Sequence, residues 1–434
     1  MKENYRGLFF RYVIPTVIAF ALSGVYAIVD GYFVGNTIGD MGLSAINIAY
    51  PVLALIQALG TGIGMGGAVY YSISMAEKKE ERAKEYIAVS WWLMILVSLI
   101  VTVAIYFTSA EILSLLGAEG SLLKNADDYL KIIALGSILQ IIGTGMIPPI
   151  RNYGNSFWSM FAMVTGFATN IFLDYLCVWV YGMGLKGAAA ATIIGQGVTA
   201  AISVTYALYN KKLYVRVKLQ NIKKTCASII KVGLAPFGLA LTPNISLLFI
   251  NRFSAIYGGE KAIATYACVS YVICIIYVVL QGVGDGSQPL MSRYYGSKDY
   301  ESLREIRKMA YAFAVFLSVI GGIAMYVGRT SIGALFGSSA EVNCGISEIV
   351  PIFLVPLPFI AITRIATAGF YATEKSELAY ILAFSEPALM LGFLLILPPL
   401  FGGQVMVWWS TVFARIVSAA LAVLLTKKAH REAE

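Results

Sequence analysis

Long apolar stretches separated by short polar segments run through the whole chain. A helix that crosses a bilayer needs about 20 consecutive apolar residues. Twelve stretches meet this length, at about 8–36, 44–75, 86–108, 122–150, 156–181, 187–210, 228–257, 262–292, 302–328, 342–372, 377–399 and 404–426. The pattern predicts an all-α membrane protein with twelve transmembrane helices.

The composition supports a protein embedded in the membrane rather than a soluble domain with an anchor. Of the 434 residues, 59% are hydrophobic and only 13% are charged, whereas a soluble domain carries about 25% charged residues. The first apolar stretch continues into Asp30 without a small-residue cleavage site, so we expect this span to be retained. The net charge of +8 could suggest a nucleic-acid partner. The positions of the basic residues indicate instead how the chain is oriented in the membrane.

The basic residues are unevenly distributed between the two sides of the predicted bundle. Twenty-four of the 32 Lys and Arg residues lie on the side of the N-terminus and five lie on the other. Cytoplasmic loops of membrane proteins are enriched in Lys and Arg. We therefore expect a multi-pass protein of the cytoplasmic (inner) membrane with both termini in the cytoplasm. The remaining three, Arg252, Arg364 and Arg415, lie within spans.

The chain contains an internal repeat. Shifting residues 52–85 by 220 positions places them on 272–305, and Gly62, Gly64 and Gly66 then fall on Gly282, Gly284 and Gly286. Six predicted spans separate the copies, so both halves point the same way, as in transporters built from parallel repeats. We predict an N-terminal six-helix lobe at 1–210, a basic cytoplasmic linker at 211–227 and a C-terminal six-helix lobe at 228–434.

Polar side chains inside the first-half spans are the main candidates for function. Asp30 lies in span one, Asn170 and Asp174 are spaced i, i+4 on one face of span five, and Thr192 lies near the middle of span six. An ionisable residue inside a span is a functional candidate by default. The alternatives are an interfacial carboxylate at Asp30 and a satisfied structural one at Asp174.

Two carboxylates in one dry pocket cannot both stay ionised easily, so the pair should take up a proton or a cation. An all-oxygen ligand set also suits sodium. The single histidine, His430, lies in the charged tail, so a proton inside the membrane would have to be carried by Asp or Glu. The residue types leave the choice between proton and sodium open.

The remaining motifs do not indicate an enzyme. The run Gly60–Gly67 contains GxGxxG, but the nucleotide interpretation needs a preceding strand. Small residues for close helix packing explain the run better in a membrane helix. No GxxxxGK[ST] sequence occurs, and the five cysteines show no metal-ligand spacing. We expect no catalytic residues, no bound metal and no cofactor other than the coupling ion.

The second half carries its own set of polar residues within spans. The set comprises Asp285, Gln288, Arg364, Glu386 and Arg415. Buried Arg and Glu residues usually pair with each other, so Glu386 is expected to pair with Arg364 or Arg415. The sequence leaves two roles open for these residues. They could form an internal network that holds this half together, or they could bind substrate.

Three segments resemble signatures of the multidrug and toxic compound extrusion (MATE) transporters. They are VDGYFVGNTIGDMGLSAINIAYPV (Val29–Val52), QGVGDGSQPLMSRYYGSKDY (Gln281–Tyr300) and NIFLDYLCVWVYGMGLKGAAAAT (Asn170–Thr192). The resemblance covers nearly the whole chain. It is strongest to the bacterial and archaeal branches, in particular to the group of the staphylococcal exporter MepA.

The resemblance implies a V-shaped protein of two six-helix lobes that exports organic, often cationic, compounds in exchange for protons or sodium ions. Asp30, Asn170, Asp174 and Thr192 match the cation site of the family, and Tyr26 matches a tyrosine one turn earlier. A small organic substrate, a surrounding lipid bilayer and a monomeric state are expected. The alternatives are a flippase of a lipid-linked precursor and a non-transporting receptor.

The second half departs from the family pattern. One branch has a sodium site on carboxylates of spans seven and ten, where this chain offers Asn244 and Arg364. We therefore expect that site to be absent and coupling to run through the first lobe. The charged set Arg364, Glu386 and Arg415 leaves an anionic or zwitterionic substrate open as well as a cationic one.

Overall fold

The computed structural model describes residues 5–217, 219–335 and 340–431, and no strand occurs among them. Both chain ends and Lys218 of the predicted linker lie outside these ranges. Helices form at Tyr5–Ile38, Asp40–Ala76, Glu80–Leu115, Gly120–Leu135, Ser137–Asn152, Ser156–Leu173, Gly184–Tyr209, Ile222–Gly296, Tyr300–Gly328, Ile332–Leu335, Ala340–Leu354, Leu357–Ala372, Ser376–Phe401 and Gln404–Arg431. Ile222–Gly296 contains two spans, which meet at Gly259.

The predicted twelve-span fold is confirmed, and each predicted stretch coincides with a span. Ten helices are long and apolar enough to cross a membrane, and two bent helix pairs make up spans four and ten. Span four bends by 57° around Gly136 and span ten bends by 47° around Pro356. These bends were not predicted. Span seven begins at Ile222, inside the predicted linker, because its polar first turn extends the helix beyond the apolar stretch.

The internal repeat extends through the backbone with a constant offset. Residues with positive φ recur 220 positions apart at Gly39 and Gly259, Lys78 and Lys298, Gly154 and Glu374, and Gly182 and Gly402. The bends at Gly136 and Pro356 have the same spacing. A fixed offset from residue 39 to residue 402 means that the two halves share their turns as well as their spans.

The two lobes pack against each other towards one end of the bundle. The end of the bundle that holds loops 77–79, 210–221 and 297–299 is called the linker face here, and the opposite end is called the distal face. On the linker side, Gly286 packs against Val13 and Thr16 of span one, and Gly296 packs against Ile73 of span two. One hydrophobic core continues from these first-lobe residues into the second lobe. The lobes form a V that is closed at the linker face.

Gly64 is expected to tolerate no side chain, whereas Gly284, its partner in the repeat, should tolerate a small one. A Cβ at Gly64 would overlap the carbonyl oxygen of Gly145, while a Cβ at Gly284 would lie 3.1 Å from Ala368 Cβ. Overpacking costs about 1–3 kcal/mol or more. Gly64→Ala should therefore lower the melting temperature of the purified protein clearly more than Gly284→Ala. Equal shifts would contradict the close packing of spans two and four.

Candidate functional site

Span five changes its helix type at one of the predicted site residues. The α-helix Ser156–Leu173 continues as a π-helical segment, Asp174–Val180. Single π-helical turns occur frequently at functional sites. Asp174 is fully buried and Asn170 is 3% exposed. The change of pitch turns the residues after Asp174 to new directions, while Asp174 stays on the inner face with Asn170.

The structure brings together the four residues that were predicted from the first half, and we call them the acid pocket. The carboxyl groups of Asp30 and Asp174 lie close enough to each other to interact electrostatically. Asn170 Nδ2 donates to Thr192 Oγ1 at 3.4 Å, and Thr192 Oγ1 donates to the carbonyl oxygen of Ala188 at 3.0 Å. Spans one, five and six each contribute to the acid pocket.

Two tyrosines complete the acid pocket. The side chains of Tyr26 and Tyr129 both lie beside Thr192. Tyr26 also stacks on Phe167 of span five, with ring centroids 5.2 Å apart. Tyr129, on span four, was not identified from the sequence. It directly follows Asp128 and lies two residues from Lys131, a sequence context that is typical of the membrane interface. In the structure it is only 2% exposed.

Several oxygens of the acid pocket are buried without a hydrogen-bond donor. Both carboxylate oxygens of Asp174 and the side-chain oxygen of Asn170 have no hydrogen-bond partner in the structure. A buried acceptor without a donor is costly, and two carboxylates at this separation repel each other when both are ionised. A proton or a small hard cation removes both penalties. The residues present therefore fit either a proton or a sodium ion.

A cleft between the lobes leads towards the acid pocket. Tyr50 of the first lobe is 47% exposed, Tyr271 of the second lobe is 40% exposed, and Cys274 is exposed. Tyr50 lies close enough to Tyr271 and Cys274 to interact electrostatically, and both tyrosines lie similarly close to Asp30. These side chains are exposed although they face one another across the two lobes. They mark a cleft between the lobes, with Asp30 on its first-lobe wall.

The predicted residue Asp285 lies between the lobes. Asp285 Oδ2 is 3.7 Å from Arg151 Nη1, and both side chains are 3% exposed. Its other oxygen accepts hydrogen bonds from Gln281 Nε2 at 2.8 Å and from Tyr371 Oη at 3.0 Å. From the sequence we counted Arg151 among the loop and helix-end charges. The structure instead buries it between the lobes as the partner of Asp285.

A pair of amides makes a second polar contact between the lobes. Asn152 Nδ2 donates to Gln288 Oε1 at 2.9 Å, and Gln288 Nε2 donates back to Asn152 Oδ1 at 3.2 Å. Ser72 Oγ also donates to Asn152 Oδ1 at 2.6 Å. The predicted residue Gln288 therefore joins the interface of the lobes rather than a separate second-lobe site. We call Arg151, Asp285, Asn152 and Gln288 the interlobe contacts.

The other three second-half residues lie together inside the second lobe. Arg415 Nε donates to Glu386 Oε1 at 3.0 Å, so Glu386 pairs with Arg415. Arg364 donates to the carbonyl oxygen of Leu239 and to Gln281 Oε1, each at 3.3 Å. Arg364 is also close enough to Glu386 to interact with it electrostatically.

Comparisons with known proteins agree with this architecture. A profile of the MatE family matches residues 15–176 and 238–395. The multidrug export proteins MepA of Staphylococcus haemolyticus (strain JCSC1435) and Staphylococcus aureus (strain NCTC 8325 / PS 47) are each 26% identical over 417 residues, covering 96% of this chain and 92% of the relative. A solved structure described as the outward-facing conformation of a multidrug resistance MATE family transporter superimposes with a TM-score of 0.90 at 22% identity, covering 97% of this chain and 95% of that one.

Proposed function

This chain belongs to the MatE family of membrane transporters, and from that premise we propose that it exports organic compounds across the cytoplasmic membrane in exchange for protons or sodium ions. The linker face is then cytoplasmic, and the cleft opens to the outside. The exported compounds are cationic, zwitterionic or otherwise amphipathic molecules that fit between Tyr50 and Tyr271. No described contact favours the alternative of a flippase for a lipid-linked precursor.

The acid pocket performs the coupling step. A proton or sodium ion arriving through the open cleft binds to Asp30 and Asp174, where it relieves their mutual repulsion. A ligand shifts a conformational equilibrium only by its difference in affinity between the two states. Binding therefore drives transport when the carboxyl groups are held closer in one state than in the other. Asp30 on span one also faces the cleft, so its movement changes the wall that the exported compound contacts.

The observation that supports this proposal most directly is the set of three donor-free oxygens on Asn170 and Asp174 beside the carboxyl group of Asp30. A purely structural polar cluster would pair these oxygens with donors, because buried polar groups are nearly always hydrogen-bonded. A proton or cation bound beside these oxygens would supply the missing partner.

The coupling ion can be tested in vesicles that contain the purified protein. Dyes of different charge are loaded, and a proton gradient and a sodium gradient are imposed separately. We expect one of the two gradients to drive dye export while the other ion is balanced across the membrane. The second gradient, imposed alone, should have no effect. Export that is independent of both gradients would contradict the proposed coupling.

A further inference from the structure

The second lobe holds a buried group of charges that the coupling step does not use. We call Arg364, Glu386 and Arg415 the arginine cluster. Arg364 is 6% exposed and Arg415 is 4% exposed. Ionisable residues inside spans are costly and usually mark a pathway or a binding site. The arginine cluster therefore calls for an explanation beyond packing.

The arginine cluster has one positive charge in excess. Glu386 is paired with Arg415, and Asp285 is paired with Arg151. Among the described residues, no carboxylate forms an ion pair with Arg364. Its guanidinium group donates only to two neutral oxygens. A buried charge that is not paired is expensive. An anionic ligand group near Arg364 would neutralise it.

Two hydrogen-bond donors beside the arginine cluster are also unused. Arg415 Nη1 and the hydroxyl group of Tyr277 are buried without a hydrogen-bond partner. The guanidinium group of Arg415 lies 4.9 Å from the centroid of the Tyr277 ring, so the two donors are neighbours. Buried donors are nearly always satisfied in proteins. Two unsatisfied donors next to an excess positive charge are the chemistry that recognises a carboxylate.

The cluster lies behind the wall of the cleft. Tyr271, Cys274 and Tyr277 follow one another at helical spacing along span eight. Tyr271 and Cys274 are exposed in the cleft, and Tyr277 is half-buried one turn further towards the linker face. Cys274 lies close enough to Arg364 to interact electrostatically. Cys274 is therefore the side chain at which the arginine cluster borders the cleft.

The arginine cluster is not repeated in the first lobe. The 220-residue offset places Glu386 and Arg415 on Gly166 and Gly195, which pack too closely to hold charged side chains. Conversely, the acid pocket residues Asp30, Asn170, Asp174 and Thr192 fall on Ile250, Met390, Leu394 and Val412. Each half therefore carries one charged site that the other half lacks. The arginine cluster is a feature of this lobe and not a requirement of the shared fold.

We propose that the arginine cluster is a binding subsite for the carboxylate group of a zwitterionic, aromatic substrate. Arg364 and the free donors of Arg415 and Tyr277 hold the carboxylate, while the rings of Tyr50 and Tyr271 contact the aromatic part in the cleft. The cationic part faces Asp30 across the cleft. This inference rests on the proposed export function and names the substrate class for it.

A pair of dyes that differ only in the carboxylate tests the subsite. Tetramethylrhodamine carries a free carboxylate and a delocalised cation, and its methyl ester keeps only the cation. Binding of each dye to the purified full-length protein is measured by fluorescence polarisation. We expect the acid to bind more tightly than the ester. Arg364→Gln should weaken acid binding at least about tenfold, because hydrogen bonds to charged groups are strong, and should leave ester binding nearly unchanged.

Two further variants separate recognition from structure. Glu386→Gln removes the carboxylate that competes for Arg415, so it should tighten acid binding several-fold, which a purely structural role for the cluster would not produce. Arg216→Gln, at an exposed position outside the spans, is the matched control and should bind both dyes as the unaltered protein does. Retained ester binding shows that each variant is folded.

Acid binding no tighter than ester binding in the unaltered protein would overturn the subsite. Equal losses for both dyes in Arg364→Gln would overturn it as well, since they indicate a structural role. Neither result depends on coupling. Export of the ester under an ion gradient tests the proposed function separately, and that export could succeed while the subsite fails.

Discussion

Replacing Asp30 or Asp174 by asparagine is expected to abolish ion-coupled export and to leave the protein folded in the membrane. Asparagine keeps the size of the side chain but cannot exchange a proton and binds a cation weakly. Coupling free energies between two sites are typically about 1–3 kcal/mol, which corresponds to about 5- to 150-fold in affinity. Loss of the coupling should therefore reduce gradient-driven dye export to the level of protein-free vesicles.

The matched control for these variants is Asp128→Asn. Asp128 lies on span four near the distal face, where it pairs with Lys186 at 3.3 Å and is 45% exposed. This exposed ion pair is worth about 1 kcal/mol or less, so the control should export dye normally. Folding is checked by membrane yield and by a single symmetric peak in size-exclusion chromatography. Normal export by both Asp30→Asn and Asp174→Asn would remove the acid pocket from the mechanism.

Removing one partner of the Arg151–Asp285 pair is expected to open the linker face. Both side chains are buried between the lobes, and a single substitution leaves the other charge there without a partner. Such a change costs about 3–5 kcal/mol. The cost applies only to the state in which the lobes meet. Arg151→Gln or Asp285→Asn should therefore populate a state in which the linker side is separated.

This opening can be measured between spin labels on the two lobes. Lys78 and Lys298 are repeat partners, exposed at the linker face in the loops that follow spans two and eight. Labels on cysteines at these two positions, in a chain without the native cysteines, report the distance between the lobes. Each single variant should add a population at longer distance. The double variant Arg151→Gln/Asp285→Asn leaves no unpaired charge and should recover part of the short distance. Unchanged distances in both single variants would show that the pair does not hold the lobes together.

Much of the fold could be predicted from local sequence patterns. Apolar length predicted twelve spans, and the glycines at 62, 64 and 66 predicted the repeat. The bends at Gly136 and Pro356 were missed because the apolar pattern continues without interruption across both positions. A bend needs only a local loss of helical hydrogen bonding, which hydropathy does not register.

The site was predicted in part. Asp30 and Asp174 were proposed because a carboxylate is conspicuous in an apolar span, and Asn170 was added because its spacing places it on the same helix face as Asp174. Tyr129 was missed because tyrosines are common near membrane interfaces. Arg151 was not predicted as the partner of Asp285 because the two residues are far apart in the chain. A periodic sequence pattern does not indicate which side chains of two lobes come into contact.

The constant spacing of the repeat has a consequence for how the protein is built. Each half contains six spans and the same broken helix, and four left-handed turns recur between the halves. Such a half already has every element needed to pair side by side with an identical copy in the same orientation. The present chain has the geometry of a parallel homodimer whose subunits were joined end to end. Two such halves in one chain can carry different side chains at matching positions, and here the first holds the buried acidic pair and the second the excess of buried arginine.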